Sequence, residues 1–593
     1  MDIQNTLLVD EEPICLGLVG SPQGQEDTSK QYYFWVARGV LAEETQLVVC
    51  RCAVAGRNYT FHGVIDEVRR RSRMRNMDEE IDQADGDIDY VPPFESDGYT
   101  YAQVSILSVE PPALTPPCER SKVYLARQDE AAIAYGANEI ADGNALPAGL
   151  IKNGGEQLAG PGVIDLDYLL GVNGGHLNVN GSAGRGTKSS LLLYIVWMLL
   201  ALARQQAQLA PLSTSRRRVV PIILNVKNFD LFYIDYPSKR YNPQLHLANW
   251  QRLDIENPTP FQNVSFFAPQ QPGNSLPVAT GRDVAVQPYS WGLQDIVERG
   301  LFRYLFSDED TNDANFSALV LAIEDFLTTE KRQGDGNVVR GLDPDVPATF
   351  KKLEEWIKGQ AASASPVLAG HHSATWKKLW RRLFRLVYES NGVLRRDEAR
   401  GEPLNVIRGD TSDPIVVDLF SLAAMPEMQR FVVATILRQL VEARTGTKAI
   451  RGLVYTVVLD ELNRFAPKGA RDPITQLIEM VAAEMRSQGI ILLGAQQQAS
   501  RVSEKVIENS AIRALGQTGS LELGTPIWKF LSASARERAM NLRPDEKLII
   551  QATFRQPMLV TIPFPVWAMN PDEAILPTAD NQDSIDYSDV IDE

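Results

Sequence analysis

The sequence predicts an α/β protein in which a mainly parallel sheet is preceded by a small β-barrel and interrupted by a helical bundle. Three observations carry that expectation. Between residues 14 and 125, ICLGLVG, YYFWVARGV, TQLVVCRCAV, NYTFHGVIDEV and YTYAQVSILSV are short runs rich in β-branched and aromatic residues, separated by turn chemistry. From Asp165 onward, nearly continuous apolar runs alternate with helical patterns, as expected of parallel strands covered on both faces. Residues 178–193, NVNGSAGRGTKSSLLL, read as an apolar strand, a glycine-rich turn and an apolar helix.

The five N-terminal runs suggest a closed barrel. An acidic stretch from 76 to 98, with Asp78, Glu79, Glu80, Asp82, Asp85, Asp87, Asp89, Glu95 and Asp97, reads as a solvated loop emerging from it. The strands of the parallel sheet are HLNVNG, VVPIILNV, PIVVDLF, LVYTVVLDE and GIILLGAQ. Between about 240 and 405 this rhythm stops, and ANFSALVLAIEDFL, ATFKKLEEWI and TWKKLWRRLFRLVY have helical periodicity. In the last of these, Trp376, Leu379, Trp380, Leu383, Phe384 and Val387 form one apolar stripe. Lys377, Lys378, Arg381, Arg382 and Arg385 lie on the other side. A core-facing stripe with a solvated basic back is the simpler reading, and a DNA- or partner-binding face the alternative.

The expected domains are therefore 1–150, barrel and linker; 151–245, first part of the α/β core; 246–405, mostly helical insertion; 406–568, second part of the core; and 569–593, an acidic tail. A chain of 593 residues is too long for one hydrophobic core, which agrees with roughly two to four domains. The net charge of −16 argues against wholesale coating of nucleic acid but allows a local basic groove or pore. Cys15, Cys50, Cys52 and Cys118 have no histidines at ligand spacing, so they read as free thiols of a reducing, cytoplasmic environment. No signal peptide is apparent, because acidic residues follow Met1 closely. The longest apolar run, Leu191 to Ala203, is short for a bilayer and reads as a buried helix, so no membrane association is expected.

The glycine-rich segment has the layout of a nucleotide-phosphate cradle. Backbone N–H groups and a helix N-terminus face the anion, Lys188 neutralises it, and Ser189 or Ser190 holds Mg²⁺. Its spacing is unusual, since Thr187 stands between Gly186 and Lys188. VYTVVLDELNRFAP, residues 454–467, supplies the complement: an apolar strand ends in Asp460 and Glu461, where parallel α/β proteins bind ligands. Asp460 suits metal coordination through a water and Glu461 suits polarising an attacking water. Gln496 at the end of GIILLGAQQ, with Gln497 second, suits a γ-phosphate sensor. Arg486 and Arg513 are the candidates for a transition-state arginine, often supplied by a neighbouring subunit. The five histidines assemble into no HExxH, and no GxSxG or Cys–His pair is present.

Taken in order, these segments resemble bacterial HerA-like ATPases, hexameric motors of the HerA–FtsK branch of the RecA-like P-loop fold. The resemblance rests on IDLDYLLGVNGGHLNVNGSAGRGTKSS, PIILNVKNFDLFYID, VVLDELNRFAP, GIILLGAQQQASRVSEKVIENSAIRALG and VTIPFPVWAMN. A subgroup of that family also carries threonine before the lysine. The resemblance implies that Gly181, Gly184, Gly186, Thr187, Lys188, Ser189 and Ser190 bind ATP and Mg²⁺. Ser189 and Asp460 would form the metal site, with Glu461 the catalytic base, Gln496 the sensor and Arg486, ahead of Arg513, the arginine finger. It further implies a homo-hexamer that threads DNA through a central pore and works with a separate effector, a nuclease of the NurA type or a sirtuin-like NAD-hydrolysing protein, in DNA end processing or antiphage defence. The rival reading is an ATP-dependent scaffold that organises and activates the effector with little translocation. A conjugation-type coupling ATPase is a third, weakened by the lack of an evident membrane segment. Residues 76–98 and the acidic tail have no counterpart in the family.

Overall fold

A computed structural model describes residues 13–71, 98–182, 187–209, 217–282, 285–332, 338–368, 370–408, 411–445 and 452–576, with the isolated positions Asp82, Asp85, Asp87 and Asp89. The rest of the acidic stretch and the tail from 577 lie outside the described residues. The chain forms two compact units. One comprises Met1–Leu166, Asn249–Ile255 and Leu531–Pro563, and the other comprises Asp167–Ala248, Glu256–Phe530 and Phe564–Glu593.

In the first unit, β1 (Cys15–Val19), β2 (Gln31–Val36), β3 (Leu47–Val54), β4 (Arg57–Arg71), β5 (Tyr99–Glu110) and β6 (Lys122–Leu125) close into an antiparallel barrel in the order β1-β2-β5-β4-β3-β6. The short β6 closes it by pairing with both β1 and β3. Alternation along each strand sends Leu16, Phe34, Val48, Phe61, Val104 and Val123 into one core. Ala55 and Gly56, both at positive φ, join β3 to β4 in the tight turn that matches strand twist. At Gly63 a Cβ would lie 2.4 Å from the Val104 side chain, so only glycine fits where β4 slips its register against β5. The same unit holds four further strands paired antiparallel. They are β7 (Ala145–Lys152), β8 (Leu158–Asp165) and, from the C-terminal part, β19 (Glu546–Gln551) and β20 (Met558–Thr561), in the order β19-β20-β7-β8. Cys15, Cys50, Cys52 and Cys118 all carry free thiols.

The second unit is built on β9 (Leu177–Asn180), β10 (Arg218–Asn225), β11 (Ser265–Pro269), β12 (Val286–Tyr289), β15 (Ile415–Asp418), β16 (Leu453–Leu459), β17 (Ile490–Gln496) and β18 (Ile512–Leu515). They lie in the order β12-β11-β15-β10-β16-β17-β9-β18, and every pair is parallel. Every residue of β16 and β17 is buried, as a sheet covered on both faces requires. The strand that leads into the glycine-rich turn, β9, sits between β17 and β18, and acidic-ended β16 is one place further on. This is the mainly parallel α/β core that the sequence predicts.

Within 246–405, helices alternate with β11, β12 and a hairpin of β13 (Thr328–Arg332) and β14 (Val338–Leu342). SFFAP and VQPY are short and contain proline, so their periodicity is weak, and it is pairing with β15 that makes them sheet strands. Helices Ala314–Leu327, Phe350–Ala362 and Ser373–Glu389 pack together through a stacked Phe326–Trp356 pair and an edge-on Trp356–Trp376 contact. The expected apolar stripe of the last helix divides. Trp376, Leu379, Leu383 and Val387 are buried, whereas Phe384 is 41% exposed and stacks on exposed Tyr388. Lys378 and Arg382 on its basic side are held by Asp310 and Asp313.

Among the described residues, one helical stretch, Lys188–Gln206, is long and apolar enough to cross a membrane. Its residues 191 to 200 are all buried, and the helix packs against β10 and β17, so the sheet accounts for its hydrophobicity. His176, at the start of β9, bonds the Ala482 carbonyl through Nε2 at 2.9 Å and accepts from the Leu492 N–H through Nδ1 at 2.9 Å. Burial pushes its pKa down to about 4, a shift that the Ala482 carbonyl opposes and Arg486 reinforces. Below about pH 6.5 the unfolded chain binds this proton and the folded chain does not, so stability is lost as pH falls from about 6.5 towards about 4, with a slope of up to about 1.4 kcal/mol per pH unit. The stability advantage of wild type over His176→Gln, measured by denaturant unfolding, should shrink between about pH 7 and about pH 5. An equal advantage at both would contradict this assignment.

Candidate functional site

The register of the parallel sheet brings four strand ends to one edge. Gln496 of β17 lies opposite Asn180 of β9, Leu459 of β16 opposite Gly494, and Leu224 of β10 opposite Leu459. The residues that follow, Gly181, Lys227, Asp460–Glu461 and Gln497, therefore meet beyond the carboxyl ends of the strands, where α/β sheets bind ligands. The start of the glycine-rich turn is anchored: the Gly181 N–H donates to the Gln496 carbonyl at 3.2 Å and the Ser182 N–H to the Gln517 carbonyl at 2.7 Å. Asn180 accepts from the Ala499 N–H at 2.9 Å and donates to Thr518 Oγ1 at 3.2 Å. Gly184, Gly186 and the Thr187 side chain lie outside the described residues, while the Thr187 backbone begins the helix Thr187–Leu209.

One turn of that helix delivers the cation. Lys188 is 4% exposed, and its Nζ has no hydrogen-bond partner among the described residues. It forms an ion pair with Glu461 Oε1 at 3.8 Å. Burial lowers the Lys188 pKa, and Asp460 and Glu461 oppose that shift without cancelling it. An ammonium in this state has hydrogen-bonding capacity left for a further anion. Ser189 Oγ donates to Asp460 Oδ2 at 3.0 Å, and Ser190 follows, half-buried.

Asp460 and Glu461 leave β16 as two adjacent buried acids. Glu461 adopts a left-handed conformation, φ 58° and ψ 48°, and begins the short helix Leu462–Phe465. Its N–H donates to Asp460 Oδ1 at 2.9 Å. For a non-glycine residue this backbone costs about 1 kcal/mol or more, the kind of strain held at functional sites. Lys227, just beyond β10, donates to Glu461 Oε1 at 2.7 Å and to Asp460 Oδ2 at 3.1 Å. Burial works against the Glu461 charge, but the contacts from Lys227, with help from Lys188 and Gln497, outweigh it and hold the carboxyl below its usual range. The Lys227 ammonium is likewise held above its usual range, burial being outweighed by Asp460 and Glu461.

The structure divides the remaining expected residues. The Gln496 amide is fully buried and locked to Asn178, donating at 2.7 Å and accepting at 3.0 Å. The amide that reaches the acids is Gln497, whose Nε2 donates to Glu461 Oε1 at 3.2 Å. Arg486 precedes β17, at the edge of the sheet opposite the acids. Seven strand residues at about 3.3 Å each place roughly 23 Å between those edges. Arg513, in β18, packs over the Phe530 ring at 5.8 Å. Sequence reasoning passed over Lys227. Its signal was its place, a lysine immediately past a strand that turns out to neighbour the acidic one.

No family model matches the chain, and no curated protein sequence does. Solved structures that it resembles include VirB4 of Thermoanaerobacter pseudethanolicus, at 18% identity over 72% of this chain and 98% of that one, with a TM-score of 0.42. The bacterial conjugative coupling protein TrwB is similar at 11% identity, over 77% and 95% of the two chains, with a TM-score of 0.45. The genome-packaging NTPase B204 of Sulfolobus turreted icosahedral virus 2 is similar over 26% of this chain and 69% of its own, at 13% identity and a TM-score of 0.20.

The conformation of Glu461 gives a test that separates backbone strain from charge. Glu461→Ala and Glu461→Gly both delete the carboxylate, but only glycine tolerates this φ without cost. Glu461→Gly should be the more stable of the two by about 1 kcal/mol in denaturant unfolding. Equal stability would show that the left-handed backbone carries no strain.

Proposed function

We propose that the second unit binds ATP with Mg²⁺ and hydrolyses it. The observation that carries this reading is Lys188, whose ammonium is buried, has no hydrogen-bond partner among the described residues and lies 3.8 Å from Glu461 at the edge where the two acids emerge. A triphosphate supplies the further anion, and the glycine-rich turn leading into a long helix supplies its N–H donors. Lys188 then binds the β- and γ-phosphates. Ser189 and Asp460, already 3.0 Å apart, are the oxygen pair that would hold the metal, a donor set suited to a hard cation. When bound, Mg²⁺ neutralises developing charge on the phosphates. Glu461 takes the proton of the attacking water, and its depressed pKa keeps it ionised for that task. Gln497, which already reaches Glu461, orients that water or senses the γ-phosphate in place of the sheet-locked Gln496. Arg486 sits too far from its own chain's acids to serve them, which supports a role at a neighbouring subunit's site in a ring.

The wider reading is a HerA-like homo-hexamer that moves DNA through its pore and drives a separate nuclease or NAD-hydrolysing effector, in DNA end processing or antiphage defence. It is supported by the ordered resemblance of the sequence segments, by the RecA-like core and by the placement of Arg486. Lys188→Ala should abolish ATP binding in calorimetry. Glu461→Gln should bind ATP but hydrolyse it about 10²–10⁴-fold more slowly, the usual worth of a general base. Duplex DNA should stimulate the wild-type ATPase. Full ATPase activity in Lys188→Ala would overturn the site assignment, and an ATPase indifferent to DNA would overturn the translocase reading.

A further inference from the structure

Lys227 has no role in the scheme above, yet it makes the shortest side-chain contact to the two acids. Its ammonium bridges Glu461 Oε1 at 2.7 Å and Asp460 Oδ2 at 3.1 Å, and Ser189 Oγ bonds that same Asp460 oxygen. Two of these groups, Asp460 and Ser189, are those assigned to the metal. We propose that Lys227 is a built-in counter-ion that occupies the cation position while the site is empty, and so makes divalent-metal binding depend on nucleotide.

The need for a counter-ion follows from burial. The Asp460 and Glu461 side chains are only 8% and 6% exposed, and two adjacent buried carboxylates without compensation are unfavourable. Lys188 cannot meet that need alone, being 3.8 Å from Glu461 and hydrogen-bonded to neither acid. With Lys227 in place, two carboxylates face two ammoniums and the cluster is formally neutral, so it offers a free dication little attraction. A triphosphate adds several negative charges, and the balance then favours a dication between phosphate and acid. An ammonium 2.7–3.1 Å from these oxygens fills the space that a dication held by Asp460 and Ser189, directly or through water, would need. Lys227 can leave without disturbing the core: it projects from just beyond β10 on a flexible stem and is 43% exposed, whereas Lys188 is buried.

This inference rests on the ATP-site reading and is tested apart from it. Mn²⁺ binding to the full-length, nucleotide-free protein is measured by electron paramagnetic resonance for wild type, Lys227→Gln, Lys227→Met and Lys227→Arg. Folding of each is checked by circular dichroism. Removing one positive charge at contact distance should tighten Mn²⁺ binding by at least about tenfold in the Gln and Met variants, while Lys227→Arg stays like wild type. Wild-type Mn²⁺ affinity in a folded Gln or Met variant overturns the proposal, as does equal tightening in Lys227→Arg. Wild-type protein that binds no ATP refutes the ATP-site reading itself. ATP binding by wild type with unchanged Mn²⁺ affinity in the variants refutes only the role of Lys227.

Discussion

The site depends on one electrostatic constraint: two adjacent carboxylates, Asp460 and Glu461, are buried at the end of a fully buried strand. Burial of that kind persists only with matched positive charge and hydrogen bonds. Each neighbour answers it in a different way. Lys227 bonds both acids, Ser189 bonds one, Gln497 the other, and Lys188 pairs with Glu461 at 3.8 Å with no hydrogen bond of its own among the described residues. The unused capacity of Lys188 is what turns a compensated cluster into a receptor for an anion.

The parallel sheet provides the rigidity that this cluster needs. With β16, β17 and β9 in fixed register, the acids, the amide pair of Gln496 with Asn178 and the root of the glycine-rich turn are set by backbone hydrogen bonds rather than by flexible side chains. His176 ties the far end of β9 to β17 and to the helix Pro473–Glu484 beneath. Glu461 carries the strain, its left-handed backbone turning the chain sharply enough to keep both carboxyls at the mouth.

Much of this was legible in the sequence. The apolar runs of β9, β10, β15, β16 and β17 mark covered parallel strands, and GSAGRGTKSS with LDE marks the two halves of the site. What escaped was decided by tertiary pairing. Strands β11, β12 and β18 are four or five residues long and acquire their identity from their neighbours. Gln496 and Gln497 are adjacent, and strand alternation points them in opposite directions, so only the register shows that Gln496 meets Asn178 and Gln497 meets Glu461. Lys227 precedes Asp460 by more than 200 residues, and no local pattern announces their contact. The division of the Ser373–Glu389 stripe, with Phe384 and Tyr388 left at the surface, likewise reflects how its partner helices pack.

The most direct test of the account is a structure of the protein with a non-hydrolysable ATP analogue and Mg²⁺. Phosphate oxygens should lie within hydrogen-bond distance of Lys188 Nζ, with the metal held by Ser189 and Asp460 and Lys227 withdrawn from the acids. An analogue bound elsewhere, with Lys188 making no hydrogen bond to it, would contradict this reading.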